Sequence, residues 1–434
     1  MRRRAVITGL GIIAPNGIGK DTYWEATIEG KSGIGTISRF DASNYRTRIA
    51  GEVNDFDPTQ YMSKKESRRM SRCTQFALAA SQMAVEDAQL EITEENSYRV
   101  GIALGTAIGG LEIAEEQCRI FHKRGRAGIS PLAAAAMNPN AAVGAVATRL
   151  GIRGPNISVS TGCSAGLSAI GYALDAIRYG KVESIIAGGM DAPLSPVTFS
   201  SFDATHTLST RNDSPQKASR PFDDLRDGYI LGEGSGIVIM EEMEHALRRG
   251  ANIYAEVAGY GITNDAYDLN RVDPDGKNAA KTMELALEDA GLDKEEVDYI
   301  NAHGSSSRLT DKKETKAIKM ALGQYARRTF ISSIKSMIGQ PLAATGGIQL
   351  ITAILAIKKK CLPPTINYEY PDPDCDLDYI PNQARDEKAK VALVNAFGMG
   401  GSNVSTVVKE FNGNGICKAI LVERTRERRY DNIN

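Results

Sequence analysis

The chain lacks the cysteine and histidine spacings that mark metal sites and disulfide frameworks. Its six cysteines are scattered without a Cys-x-x-Cys pair, and its four histidines lie far apart in a sequence of 434 residues. Structural zinc sites and small disulfide-rich secreted domains depend on such closely spaced ligands or paired cysteines. We therefore expect neither a bound metal nor a disulfide framework.

An excess of charge of one sign and a hydrophobic run of membrane length are also missing. The 52 Lys and Arg residues balance 53 Asp and Glu residues, so nothing in the overall charge indicates a nucleic-acid partner. The longest apolar stretch, residues 342–357, is too short and too interrupted by polar residues to span a bilayer. The N-terminal MRRRAVITGLGII has the pattern of a first strand, not of a signal peptide, which predicts a cytoplasmic protein.

The chain does show an alternation of strand-like and helix-like segments, which predicts an α/β fold. A length of 434 residues exceeds one ordinary core, and a break near residue 250 suggests halves at 1–250 and 251–411 with a tail at 412–434. Residues 6–12 and 257–262 are faintly similar. Strands are predicted at 4–9, 100–104, 156–159, 184–187, 236–240, 254–257, 297–300 and 391–394, and helices at 74–89, 163–180, 279–290 and 341–360, the last capped by Gln340.

Cys163 is the candidate nucleophile. It stands in Ser-Thr-Gly-Cys-Ser-Ala-Gly, between the predicted strand 156–159 and a helical pattern, so its sulfur would lie at a helix N-terminus. The unpaired N–H groups and the positive dipole end at that position favour thiolate over thiol. The alternative is a buried structural cysteine, against which the small flanking residues and the polar segments elsewhere in the chain argue.

Three further polar segments accompany this cysteine. Asn301-Ala302-His303 follows a predicted strand, at the kind of strand end where ligand sites of open α/β sheets gather. The second segment, residues 333–340, contains Lys335 and Gln340, and the third is a glycine loop at 397–403. Each segment alone is a weak signal, whereas the four together and in this order are specific.

In that combination the chain resembles the thiolase-fold condensing enzymes, in particular β-ketoacyl-acyl carrier protein synthase II and the ketosynthase subunits of type II polyketide systems. The resemblance covers about residues 3–411 and includes motifs at 208–213, 219–223 and 227–228. It implies a layered αβαβα thiolase fold of two similar halves. The implied activity is decarboxylative Claisen condensation of an acyl-enzyme thioester with malonyl-acyl carrier protein, in polyketide, polyene or fatty acid elongation. The substrates arrive on phosphopantetheine, and no other cofactor is implied.

The resemblance also implies a role for each catalytic position. Cys163 accepts the acyl group, and His303 supports decarboxylation and stabilises the thioester enolate. Lys335 pairs with Glu314 to hold the network in register, with a purely structural ion pair as the alternative. The loop Phe397-Gly398-Met399 gates the site, and its last N–H forms an oxyanion hole with the N–H of the nucleophile.

Gln340 is the main departure from the family pattern. The synthase II pattern Gly-His-x-x-Gly-Ala-Ala-Gly reads Gly-Gln-Pro-Leu-Ala-Ala-Thr-Gly at residues 339–346, so a second catalytic histidine is replaced. A carboxamide N–H₂ can donate to an oxyanion while staying neutral, which predicts a working Cys-His-Gln site. Two alternatives remain: a non-elongating, carrier-binding partner subunit, and an acyltransferase that does not decarboxylate.

The acyl pocket is expected to be roomy. Met399 stands where synthase II usually has a gating Phe, and four alanines at 133–136 replace a commonly bulkier stretch at the dimer seam. Ile108, Ala133 and Ala134 would line the pocket; tight packing of the alanines against a partner subunit is the alternative.

A local basic cluster suggests the partner. Lys65, Arg68 and Arg69 would attract an acidic acyl carrier protein without making the whole chain basic, although a solvated helix start would show the same residues. The family implies a homodimer, and a heterodimer with a chain-length-factor-like subunit is the rival arrangement.

Overall fold

The structure, a computed structural model, describes residues 2–412. The tail predicted at 412–434 therefore lies outside the described residues from position 413 onward. Strands are β1 Ala5–Ala14, β2 Gly17–Ile18, β3 Ile34–Thr36, β4 Ile49–Gly51, β5 Val100–Gly105, β6 Asn156–Val159, β7 Ser184–Asp191, β8 Gly234–Glu242, β9 Ala255–Asn264, β10 Tyr299–Asn301, β11 Phe330–Ser332, β12 Val391–Phe397 and β13 Ser402–Lys409.

Helices alternate with these strands. They are α1 Lys20–Ile28, α2 Lys64–Ser67, α3 Arg72–Ala88, α4 Leu111–Arg124, α5 Ala133–Ala136, α6 Ala141–Leu150, α7 Ala165–Arg178, α8 Pro196–Asp203, α9 Met243–Arg248, α10 Lys277–Ala290, α11 Arg308–Leu322, α12 Lys335–Ile338 and α13 Ala344–Lys359. Over the range that the structure covers, no helix combines the length and the apolar character that a membrane span requires.

The main sheet consists of two similar halves. Its order is β11-β10-β12-β13-β9-β1-β8-β7-β5-β6, with β2 paired to β1. The antiparallel neighbours β1 and β9 meet at the centre, and on each side the strands of one half of the chain follow in an equivalent order. The faint similarity between 6–12 and 257–262 falls on these two central strands.

Helices form three layers around the two half-sheets. Between the halves lie α7 and α13, which contact β7 and β8 on one side and β12 and β13 on the other. The outer layers include α3 against β1 and β8, and α10 against β9 and β13. This is the αβαβα layering that the resemblance implies. Residues 344–357 of α13 are all buried, as expected for a helix that is apolar on every side.

A close backbone contact brings α13 to the centre of the molecule. A Cβ on Gly347 would lie 1.9 Å from the carbonyl oxygen of Gly236 in β8, and one on Gly346 would lie 2.4 Å from the Leu167 nitrogen in α7. Only glycine permits such an approach, because any side chain would overlap the neighbouring backbone. The N-terminal turn of α13, which follows Gln340, is thereby held between the two halves.

Most predicted elements are confirmed within a few residues, and one start is wrong. β6 spans 156–159 as predicted, and α10 ends at Ala290 with the next residue, Gly291, in the left-handed conformation. The helix predicted from residue 341 instead begins at Ala344, so Gln340 is not its cap. Gln340 forms a β-bridge with Leu231, and Leu342 has a φ of 45°, which turns the chain sharply before the helix.

Candidate active site

The four predicted catalytic segments meet at one cavity of about 440 Å³. Cys163, His303, Gln340 and Met399 all line it, and Lys313 lines it as well. The cysteine follows β6, the histidine follows β10, and the glycine loop follows β12, so three segments lie at the carboxyl ends of strands. Ligand sites of α/β sheets form at this edge because successive strand ends converge there.

The chain turns sharply to present the nucleophile. Gly162 has a φ of 63°, a conformation that glycine adopts without strain, and Cys163 comes two residues before the first residue of α7. The Gln340 side chain and the Met399 N–H both act on the sulfur, since each lowers the pKa of the Cys163 thiol. Two groups that can donate hydrogen bonds therefore lie near one sulfur atom.

The expected resting thiolate is wrong. Burial raises the pKa of the Cys163 thiol, and the nearby Asp191 carboxylate adds to this effect. The Gln340 amide, the Lys335 charge and the Met399 N–H lower the pKa but do not overcome the loss of water. The sulfur therefore rests as a thiol, with donors already placed to receive its charge once it ionises.

His303 is held as a neutral ring with one defined tautomer. Its Nδ1 accepts a hydrogen bond of 3.1 Å from the Phe397 backbone N–H. A nitrogen that accepts carries no proton, so the neutral ring is protonated at Nε2. Burial lowers the pKa of His303 well below its usual value, and the charges of Lys335 and Lys313 add to this. The ring offers a single N–H donor at Nε2.

Glu314 and Lys335 support the histidine through its backbone. The Glu314 carboxylate accepts the N–H of His303 at 2.8 Å and that of Gly304 at 2.7 Å. The Lys335 ammonium donates to the His303 carbonyl oxygen and to Gln349 Oε1. Each buried charge is therefore hydrogen-bonded to a different part of one loop. The expected direct ion pair between Glu314 and Lys335 is not formed, although each charge still shifts the pKa of the other.

Burial shifts both of these charged groups. It raises the pKa of Glu314, against the lowering effect of the backbone N–H groups and of the Lys335 charge. It lowers the pKa of Lys335, against the raising effect of the Glu314 charge. Removing either partner would leave a buried charge that the other no longer compensates.

A hydroxyl that no sequence motif indicated contacts the Gln340 side chain. The Thr345 hydroxyl donates to Gln340 Oε1 at 3.1 Å. The Gln340 backbone is held as well, since its N–H donates to Ile230 at 2.7 Å and its carbonyl accepts from Gly232 at 3.0 Å. The one sequence signal is that residue 345 is Thr where the synthase II pattern has Ala.

Asp191 is a second residue that sequence reasoning missed. This buried carboxylate accepts the Thr106 hydroxyl at 2.7 Å, the Ala107 N–H at 2.9 Å and the Ala343 N–H at 2.9 Å. Burial raises the pKa of Asp191 to about 6. The carboxylate joins the loop that carries Ile108 to the turn after Gln340. An acid at the end of the apolar strand β7 is the signal that could have found it.

A buried ion pair anchors the glycine loop. Lys313 contacts Asp265 at 2.6 Å, and the Asn403 amide donates to the same carboxylate at 2.7 Å. The Lys313 ammonium also lies 5.4 Å from the centre of the Phe397 ring. Both ends of the 397–403 loop are thus fixed by one charge cluster. Lys313, next to the predicted Glu314, was not among the expected site residues.

The expected pocket residues separate in space. Ile108 packs in an apolar cluster with Cys163 and Leu342, next to the cavity. Ala133 is buried and Ala134 is exposed, and neither lines the cavity within the described part of this single chain. The end of α5 instead borders a separate open groove of about 510 Å³, together with Arg69.

The expected docking residues lie on the surface. Lys65, Arg68 and Arg69 are exposed on and just after α2, whose start is capped by Ser63 and Glu66. For residues 2–412, no group of three or more His, Cys, Asp or Glu side chains is arranged to hold a metal ion.

Comparison with known proteins identifies the family. The family model described as beta-ketoacyl synthase, N-terminal domain, matches residues 2–246, and the family model for the corresponding C-terminal domain matches residues 254–369. The 3-oxoacyl-(acyl-carrier-protein) synthase 2 of Synechocystis sp. is 47% identical over 94% of this chain and 99% of that protein.

Solved structures agree with this match. One solved structure is described as a type II PKS acyl-carrier protein in complex with its ketosynthase bound to the hexaketide. A chain of that structure is 38% identical to this chain, with a TM-score of 0.88 over 95% of this chain and 100% of that one. The ishigamide ketosynthase/chain length factor is 34% identical, with the same TM-score and coverage. The chain therefore belongs to the beta-ketoacyl synthase family of thiolase-fold condensing enzymes.

Proposed function

We propose that the chain catalyses decarboxylative Claisen condensation between an acyl group on Cys163 and malonyl-acyl carrier protein, through a Cys-His-Gln site. One observation carries the proposal. Cys163, Gln340 and Met399 line the same cavity as a neutral His303 whose Nδ1 is already occupied, and the Gln340 side chain and the Met399 N–H both lower the pKa of the Cys163 thiol. The donors are thus in place before any substrate enters.

The first half-reaction is acyl transfer. The Cys163 sulfur attacks the thioester carbonyl of the acyl carrier, the phosphopantetheine sulfur leaves, and the cysteine proton ends on that leaving sulfur. Negative charge develops on the carbonyl oxygen during the attack. The N–H groups of Cys163 and Met399 would stabilise it, and losing one such donor typically costs about 2.7–4 kcal/mol of barrier.

The second half-reaction is decarboxylation and condensation. The malonyl thioester loses CO₂, and the electron pair of the broken C–C bond forms an enolate. His303 through Nε2–H and Gln340 through its N–H₂ would donate to the enolate oxygen, and both remain neutral while doing so. The enolate carbon then attacks the Cys163 thioester, and the cysteine sulfur leaves as a thiolate, which takes up a proton from solvent to restore the resting thiol. The product is a β-ketoacyl carrier thioester, extended by two carbons.

The basic surface at α2 would receive the carrier protein. Lys65, Arg68 and Arg69 are exposed, and Arg69 borders the open groove beside α5. Carrier proteins are acidic, so a local basic patch accelerates their encounter with the enzyme.

A second thiolase-fold chain would cover the face next to the nucleophile. β6 is an edge strand of the sheet, and its Ser158 hydroxyl donates to the carbonyl oxygen of Pro139, two residues after Met137. Large apolar side chains are exposed at Leu111, Phe121, Leu132 and Met137. An open strand edge beside exposed apolar residues is a template for association. We infer a homodimer, in which a partner would also close the groove at α5.

The proposed reaction can be tested on the acyl-enzyme. Incubation with an acyl carrier thioester should add one acyl group to Cys163 by intact mass, and malonyl-carrier protein should then remove it with release of CO₂. Gln340→Ala should still be acylated but should decarboxylate malonyl-carrier about 10²–10³-fold more slowly, because one oxyanion donor is gone. Gln383→Ala, an exposed glutamine, is the matched control.

Three outcomes of that assay would contradict the proposal. Unchanged decarboxylation in Gln340→Ala removes that residue from the mechanism. Acylation of wild-type protein without decarboxylation indicates a plain acyltransferase, and the lack of any adduct indicates a non-elongating partner subunit.

Charge reversal tests the docking surface. The triple variant Lys65→Glu, Arg68→Glu, Arg69→Glu should lower kcat/KM for carrier-bound substrates by about tenfold or more, since electrostatic steering changes association rates by 10–10³. Turnover of small thioesters should not change. Reversal of the exposed Lys359, Lys360 and Lys388 makes the same change in net charge and serves as the control. Equal losses on carrier-bound and small substrates would refute docking at α2.

Sedimentation tests the inferred dimer. The purified chain should sediment at twice its mass of 46.7 kDa, and Met137→Glu should shift it towards monomer. Leu309→Glu, which alters an exposed apolar residue on α11, should leave the dimer intact. A wild-type monomer at micromolar concentration would contradict the homodimer and favour pairing with a different subunit.

A further inference from the structure

A glutamine at the oxyanion position raises a problem of orientation. Rotation of the amide by half a turn exchanges its N–H₂ for its carbonyl oxygen with almost no change in shape, and this terminal torsion is soft. One orientation presents a donor to the sulfur, and the other presents an acceptor that would repel a thiolate or an enolate. Gln340 is only 4% exposed, so little water is present to compensate a wrong orientation.

The backbone around Gln340 leaves this side-chain torsion as the main freedom. Hydrogen bonds to Ile230 and from Gly232 hold the peptide groups on either side of its Cα. The turn through Leu342, with a φ of 45°, then brings the first turn of α13 back over the side chain. At that place Thr345, 1% exposed and itself rigid within the helix, puts its hydroxyl 3.1 Å from Gln340 Oε1.

We propose that Thr345 is a positioning residue, whose hydroxyl holds Oε1 of Gln340 and so turns the N–H₂ of that carboxamide towards the Cys163 sulfur and the reacting oxyanion. The inference rests on the proposed role of Gln340 as an oxyanion donor. The geometry gives the oxygen end of the amide a fixed partner, since the Thr345 hydroxyl donates to Oε1, and Gln340 lines the same cavity as Cys163. The opposite, N–H₂ end is then the one left to act on the sulfur. Where the synthase II pattern has His, a ring with no carbonyl end, it has Ala at the position of Thr345.

Thr345→Val and Thr345→Ser separate positioning from packing. Valine keeps the shape of threonine and removes the hydroxyl, whereas serine keeps the hydroxyl. Thr345→Val should decarboxylate malonyl-carrier about tenfold more slowly, the order of effect of one hydrogen bond, and Thr345→Ser should stay within about twofold of wild type. In a Gln340→Ala background, Thr345→Val should cause no further loss, because no amide remains to be oriented.

A second readout does not depend on condensation. The rate of Cys163 alkylation by iodoacetamide, followed on its own peptide by mass spectrometry, reports the thiolate fraction as pH rises. Thr345→Val should move this profile to higher pH and Thr345→Ser should not, because the Gln340 donor to the sulfur is lost only in the first. Asp191 and Lys335, the other charges that act on this thiol, are unchanged in both variants.

The two readouts distinguish failure of the proposed reaction from failure of the positioning role of Thr345. If wild-type protein fails to decarboxylate malonyl-carrier but the alkylation profile moves as expected, the proposed reaction is wrong and the positioning role stands. The inference is overturned if Thr345→Val leaves both readouts unchanged, or if it costs the same activity with and without Gln340, which is the signature of packing alone. Should Thr345→Val not fold, Thr345→Ala compared with Thr345→Ser gives the same test.

Discussion

The hydrogen bond from the Phe397 N–H to Nδ1 of His303 is the contact on which the site depends. It joins the end of β12 to the loop after β10, so the His303 ring and the glycine loop are coupled. It also removes one tautomer, because an accepting Nδ1 leaves the proton at Nε2. Glu314 and Lys335 also stabilise this arrangement, since each binds the backbone of the loop that carries His303.

The two central ionisable groups of the site rest uncharged. Burial raises the pKa of the Cys163 thiol and lowers that of His303, so both groups rest uncharged. Fixed donors are worth more in such a place than in water, because they need not reorganise when charge develops. Gln340 fits this scheme, since an amide donates without titrating. However, its oxygen and its N–H₂ group must each face the correct partner, and the Thr345 hydroxyl binds the oxygen.

Local patterns predicted the α/β class and the approximate place of each site segment, whereas the layering was implied by the family resemblance. Cys163 and His303 could be predicted from the sequence because each follows a strand in a short, distinctive segment. The predicted start of α13 was wrong because the backbone of Gln340 pairs with Leu231, a partner more than a hundred positions away in sequence. The resting state of the thiol depends on burial by distant segments, and the place of Ala133 and Ala134 away from the cavity depends on tertiary packing, neither of which a local pattern contains.

The central claim is that His303 is a neutral Nε2–H donor, and ¹⁵N NMR of protein labelled only in its four histidines measures this directly. The resonances are assigned by comparison with His303→Ala. The account predicts shifts of an Nε2–H tautomer that stay constant from pH 8 down to about 6, through the range where an ordinary histidine titrates. Titration near the usual value, or an Nδ1–H tautomer, would contradict it.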